Sequence, residues 1–399
     1  MSAEERHAAI SLAALFALRM LGLFLILPVF AVHAPAFRGG DDLTLVGIAL
    51  GAFGFTQAFF HIPYGIAADR YGRKRVIVFG LLLFAAGSFV AAAAHDIRLV
   101  IVGRAIQGAG AISAAVMALA ADLTRPEQRT KTMAVIGASI GLVFAVALVV
   151  APALYRGIGM AGIFVLIGVL AFAGVWVVLK AVPPEPAEHV AAALNRASFG
   201  AVLRNVELLR LNVGILVLHA VQMAMFVVVP RLLVERAGIA VVDHWKVYLP
   251  VVLGSFLLML PPLLAAERGG RARPLFLGSI GLLVAVQLGL TWWATTLGII
   301  AALLLGFFVA FNLLEAVVPA LVTRVAPAEV KGTALGVYNT TQAFGVFLGS
   351  VLGGWLAKHF GPDSVFAVSG VLAAGWAIVA AGMKAPPVVA HSVSARAAS

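Results

Sequence analysis

The sequence predicts an all-α membrane protein with twelve transmembrane helices in two pseudo-symmetric six-helix bundles. Three observations carry that prediction. The first is composition: 62% of the residues are hydrophobic and 11% charged, against roughly 25% charged in soluble domains. A water-soluble chain of this length has too little interior to hide so much apolar surface, so lipid must be its solvent over most of the exterior. The second is segmentation into apolar runs of the length that crosses a bilayer, about 20 residues each. The third is an internal repeat at an offset of 198 residues.

The runs occupy residues 8–32, 43–67, 75–94, 97–121, 131–154 and 160–182, then 211–234, 246–266, 274–294, 297–322, 331–357 and 364–384. The first exceeds the roughly 7–15-residue core of a signal peptide and lacks a small-residue cleavage site, so it reads as a retained span. Only the connection 183–210 is long, and it opens on Pro183-Pro184-Glu185-Pro186. The predicted organisation is an N-terminal bundle over 1–182, a linker over 183–210, a C-terminal bundle over 211–384 and a tail over 385–399. The tail has the small, polar composition of a disordered segment.

The net charge of +11 sits in short loops between apolar runs. Nucleic acid is excluded as a partner because no continuous basic face forms. Nineteen of the 28 Lys and Arg residues fall in the N-terminus, the linker, the tail and the loops after spans 2, 4, 8 and 10; seven fall in the opposite loops, and Arg19 and Arg104 lie inside spans. By the positive-inside rule both termini and the linker are expected in the cytoplasm. The absence of cysteine removes disulfides, thiolate catalysis and cysteine-zinc sites, and no metal-ligand cluster stands out. No G-x-x-x-x-G-K-[S/T] loop is present to bind ATP. Gly108-Ala109-Gly110 lies inside a span with no strand before it, unlike a dinucleotide loop. Neither an enzyme nor a cofactor is expected.

The repeat is densest where Gly65 to Arg75 packs Asp69, Arg70, Arg73, Lys74 and Arg75 between two apolar runs. Pro63, Asp69, Arg70, Gly72, Arg73 and Arg75 recur as Pro261, Glu267, Arg268, Gly270, Arg271 and Arg273. Leu123-Thr124-Arg125-Pro126-Glu127 after span 4 is echoed by Val322-Thr323-Arg324 and Pro327-Ala328-Glu329 after span 10. Such offsets mean two halves of parallel topology. Polar residues inside the spans add a period of three: Arg19 in span 1, Arg104 and Gln107 in span 4, His219 and Gln222 in span 7, Asn312 and Glu315 in span 10. Intramembrane polar groups face protein or water. Spans 1, 4, 7 and 10 are therefore expected to line a central cavity, with 3, 6, 9 and 12 toward lipid.

With these residues in view, the whole chain resembles the major facilitator superfamily. Gly65-x-x-x-Asp69-Arg70-x-Gly72-Arg73-Lys74 matches that family's signature between helices 2 and 3, and Arg104-x-x-Gln107-Gly108-x-Gly110 the fourth-helix motif of its proton-coupled members. Leu18-Arg19-Met20-Leu21-Gly22, His244-Trp245-Lys246-Val247-Tyr248, Phe311-Asn312-Leu313-Leu314-Glu315-Ala316 and Lys331-Gly332-Thr333-Ala334 are similar to the YajR-type branch of bacterial twelve-span drug/proton antiporters. The resemblance implies a monomeric secondary active transporter of the bacterial cytoplasmic (inner) membrane. It would exchange a small organic compound for protons by alternating access, with the proton gradient as energy source. A nutrient or metabolite symporter on the same fold, and a sensor that has lost transport, stay open as alternatives.

The candidate residues fall into three groups. For gating, Gly65 allows close helix approach, Gly72 a tight reversal, Arg73 pairs with Asp122, and Asp69 faces the N-terminus of helix 11 near Lys331, as the resemblance implies. For proton coupling, Glu315 is the single carboxylate deep in a span, where desolvation favours the neutral form of a carboxyl group; an ion pair with Arg19 or Arg104 is its structural alternative. His61 and His219 are further proton candidates. Arg104 is read either as part of the proton relay or substrate contact, or as an anchor on backbone carbonyls. For substrate binding, Arg19, Gln57, Gln107, Gln222, Asn312, Tyr338, Asn339 and Gln342 offer polar contacts at depth, and ties between helices are the alternative reading.

Overall fold

The computed structural model describes residues 1–185, 196–269, 271–327 and 330–383. Among them every regular element is a helix, apart from one isolated bridge between Arg38 and Asp96. In lipid this is the arrangement that satisfies backbone groups within each segment. Every expected apolar run lies on a helix, but four boundaries differ, each at proline or glycine.

The first run is two helices, α1 (Ala3–Phe24) and α2 (Leu27–His33). Pro28 has no N–H to donate to the carbonyl of Phe24, so the ladder breaks there. Next, α3 (Leu43–Tyr71) is capped by Asp42, whose side chain accepts from the Thr44 amide at 2.9 Å. α4 (Arg73–Ala92) begins after a single turn residue, Gly72, at φ 93°. That left-handed φ favours glycine. The charged stretch is thus not a loop, because Asp69 and Arg70 belong to the last turn of α3.

Span 4 is split into α5 (Ile97–Ala109) and α6 (Ser113–Asp122). Gly110, at the break, lies so close to α4 that a Cβ there would sit 2.3 Å from the Gly80 carbonyl oxygen. Spans 5 and 6 form one element, α7 (Pro126–Lys180), with no loop between them. A straight helix of that length would measure about 80 Å, far beyond a hydrocarbon core of about 30 Å. The chain instead reverses at Gly159, φ 68° and ψ −175°. Contacts with α1 show the reversal. Ala13 and Phe24 meet Ser139 and Phe144 in parallel order, while Leu15 and Gly22 meet Gly174 and Ile167 in antiparallel order.

The second half follows a short α8 (Arg196–Arg204). It comprises α9 (Val206–Glu235), α10 (Trp245–Gly269), α11 (Ala272–Trp293), α12 (Leu297–Val325), α13 (Lys331–Phe360) and α14 (Pro362–Ala381). Large apolar side chains stand exposed on α4, the second part of α7 and α14, as on Phe79, Phe172 and Val371, which gives a lipid-facing surface. α10 also turns Leu253, Leu257 and Leu264 outward, so the lipid face is wider than the period of three implied.

Among the described residues the helices of the two halves touch toward one end. α3 and α13 cross through glycines: a Cβ at Gly47 would lie 2.2 Å from the Ser350 carbonyl oxygen, and one at Gly54 2.7 Å from that of Ala343. Gly349 and Gly353 seat α13 on Ala220 and Ala224 of α9 in the same way. Phe55 and Phe59 meet Phe347 and Phe344, and Lys358 reaches Asp42 at 2.8 Å. Toward the other end, which carries Gly72 and Lys331, α3 exposes Phe60, Ile62 and Ile66. Buried apolar residues follow the same division. One cluster draws on both halves, whereas another, from Leu12 to Val182, belongs to the first half alone. The molecule is therefore closed at the end distal to Gly72 and parted at the end that carries it.

Candidate functional site

At the Gly72 end, Arg73 forms an ion pair with Asp69 one turn earlier and donates Nε to Asp122 Oδ2 at 3.2 Å. The expected pairing with Asp122 is present. Asp69, expected against the start of α13, faces Arg73 instead, and Lys331 is exposed to solvent. With the halves parted here, the start of α13 is out of reach. Gly65 makes no close approach in this conformation, since a Cβ there would stand at an ordinary 3.9 Å from Ala114. The second copy of the motif, Glu267 to Gly270, has side chains outside the described residues.

Two further contacts at this end were not foreseen. Glu185 of the linker accepts from the amides of Arg73 and Lys74 at 3.0 and 2.5 Å. It serves as the N-terminal cap of α4 that Gly72 cannot supply. Glu5, in the first turn of α1, accepts from Arg125 Nε at 2.8 Å and Nη2 at 3.2 Å. Hydrogen bonding from Arg125 holds the Glu5 carboxyl down to about 2.

In the first half, Arg19 on α1 donates to Ser113 Oγ at 3.2 Å, and Arg104 on α5 donates to Gln107 Oε1 at 2.7 Å. Gln107 passes the chain on to Ser88 Oγ of α4 at 2.7 Å, a tie between helices. His61 and Tyr64 of α3 are buried within electrostatic reach of Arg19, and Gln57 is half-buried one turn before them.

In the second half three candidates converge. His219 of α9 faces Glu315 of α12, Nε2 to Oε1 at 3.5 Å, and the same Nε2 lies 2.7 Å from Gln342 Nε2 of α13. The other ring nitrogen, Nδ1, lies 3.3 Å from the Ile215 carbonyl oxygen. Tyr338 is buried within electrostatic reach of Glu315, and Asn339 is half-buried beside it on α13. Glu315 pairs with neither Arg19 nor Arg104, and its side chain keeps 32% of its surface accessible. Asn312 instead ties α12 to α10 through Ser255 Oγ at 3.0 Å, and Gln222 is buried on α9.

Phe144 packs on Phe24 and reaches across to Phe226, Phe308 and Phe311 of the second half, with centroids 4.9–6.2 Å apart. His219 rests on Phe311 at 5.8 Å. These rings pack the two halves together next to the His219 group. Phe144 is an apolar residue in an apolar run, so its identity alone could not single it out.

Two helical halves joined at one end and parted at the other, each with polar groups buried at depth, define a multi-pass membrane transporter. The chain belongs to the major facilitator superfamily: the model described as Major Facilitator Superfamily matches residues 12–348 and 252–398. It is 43% identical to the inner membrane transport protein YajR of Escherichia coli (strain K12), over 98% of this chain and 86% of that protein. It is 26% identical to the multidrug resistance protein MdtH of Aeromonas salmonicida, over 85% of each. Among solved structures, a bacterial homologue of the human lysosomal transporter Spinster, in an inward-facing and occupied conformation, superposes with a TM-score of 0.75 at 13% identity. That match covers 96% of this chain and 97% of the other. The human organic anion transporter MFSD10 superposes with a TM-score of 0.70 at 20% identity, over 95% and 100%. At such identities these two matches establish the fold alone. The chain is a transporter and not an enzyme.

Proposed function

We infer that this protein exports a small organic compound in exchange for protons, by alternating access of its two halves, as a monomer in the bacterial inner membrane. The observation that carries the reading is the convergence of Glu315 and Gln342 on one nitrogen of His219. With the ring in its Nδ1–H form, directed at Ile215, Nε2 accepts a hydrogen from the Gln342 amide. A proton added to Nε2 makes it a donor. It then repels the amide of α13 and attracts the carboxylate of α12. One proton thus moves a bond from one helix to another, which is what coupling a proton to a conformational change requires.

The inner-membrane label of the 43%-identical relative supports the location, and the drug-resistance label of the Aeromonas protein supports an exported organic compound. With the Gly72 end in the cytoplasm, the charge bias of the loops makes the parted side the inward one. When that side closes, Asp69 exchanges Arg73 for the positive N-terminus of α13 beside Lys331, and Gly65, Gly72, Arg73 and Asp122 form the hinge around it.

The test is transport in proteoliposomes under a pH gradient with a panel of organic compounds. Glu315→Gln should lose gradient-driven transport at least ten-fold; transport that persists unchanged overturns the proton role. Asp69→Asn should slow transport several-fold with normal membrane insertion, and wild-type rates would remove the hinge role.

A further inference from the structure

Arg19 and Arg104 are 2% and 1% exposed, and each has one hydrogen-bond acceptor. Nε and Nη2 of both side chains are buried without a partner. No carboxylate among the described residues forms an ion pair with either. A guanidinium does not shed its charge in a protein, and a cation left unpaired in the membrane interior is costly. Both guanidinium carbons lie over the same ring, Phe53, at 5.6 and 5.0 Å from its centroid. That cation–π contact offsets only part of the cost. The surrounding groups do not complete the balance. Ser113 and Gln107 are neutral, and His61 and Tyr64 bring no negative charge to Arg19. What the site lacks is an anion.

We propose that Arg19 and Arg104 form an anion-binding subsite over Phe53 that takes the carboxylate of a small organic substrate. The compound carried is then an organic monoanion and not a lipophilic cation. Four unused N–H-bearing nitrogens on two planar forks suit a carboxylate, which accepts several hydrogen bonds at once. Gln57, one turn along α3 from Phe53, is only half-buried, so the face is not sealed at that level. The proposal rests on the transport reading for the word substrate; the binding itself needs no gradient and no proton.

The experiment uses the purified full chain in detergent, with the unfolding midpoint followed in sodium benzoate, benzamide and sodium chloride. Benzamide keeps the ring and lacks the charge. A saturable rise of about 2 °C or more is expected with benzoate, with none from benzamide, and its loss in Arg19→Gln and Arg104→Gln. No rise with benzoate, an equal rise with benzamide, or an unchanged rise in both variants overturns the subsite. A rise with chloride as large as with benzoate overturns its assignment to an organic ligand. Should the glutamine variants not fold, Arg19→Lys and Arg104→Lys keep the charge and lose the fork. They should bind radiolabelled benzoate at least five-fold more weakly, and unchanged binding counts against the proposal. Gradient-driven transport is read separately with Glu315→Gln, so the two readings fail independently.

Discussion

Asp42 and Lys358 form an ion pair of 2.8 Å that bridges the two halves at the closed end. Asp42 also caps α3, and Lys358 lies in the last turn of α13, where a cation meets the negative end of the helix. Lys358 in turn holds the Asp42 carboxyl below its usual range. The side chains are 33% and 42% exposed, so solvent limits the pair to about 0.2–1 kcal/mol. That is small for a fold but comparable to what separates two conformations of a transporter.

Lys358→Gln should therefore shift the population toward a parted distal end by about two-fold. The chain has no cysteine, so a single Phe347→Cys in the seam reports on it through the rate of thiol labelling. Labelling should be about twice as fast with Lys358→Gln as without it. Equal rates would mean that the pair does not bias the seam.

Glu185→Ala should release the linker from the start of α4. Loss of an N-terminal cap costs about 0.5–2 kcal/mol, and two amides, those of Arg73 and Lys74, lose their acceptor. Limited proteolysis of the purified protein should cut between residues 183 and 195 several-fold faster than in the wild type. An unchanged rate would show that the carboxylate does not tether this segment.

Glu5→Gln supplies a pH test away from the membrane interior. The folded-state value lies near 2, below the ordinary 4.5, so the bond to Arg125 contributes stability above about pH 4.5, and that contribution fades as pH falls toward 2. The wild type should unfold at a higher temperature than Glu5→Gln at pH 7. The gap should hold to about pH 5, shrink below it and vanish near pH 2. A gap independent of pH over that range would assign the effect to packing.

Helices were legible because run length and composition report on lipid directly. Their breaks were less so. Pro28 and Gly110 each interrupt an apolar run without changing its hydropathy, Gly159 reverses the chain between two runs without a loop, and prolines such as Pro63 and Pro319 lie inside helices that continue. Arg73 with Asp122 was readable as two opposite charges at adjacent span ends. The partner of Asp69 was not, because it depends on which end of the molecule is open, and one sequence encodes both states. His219, Glu315 and Gln342 were each visible as polar residues at depth. Their meeting depends on the rotation of three helices, which no single span records.

The apolar cluster shared between the halves carries a thermal consequence. The alternating access proposed above would divide that cluster and wet part of its surface, whereas the cluster confined to the first half would stay dry throughout. Wetting apolar area raises heat capacity, by about 0.45 cal/K/mol for each Å², and the attraction that holds such surfaces together weakens on cooling. The balance between the two access states should therefore bend with temperature and not follow a straight van't Hoff line.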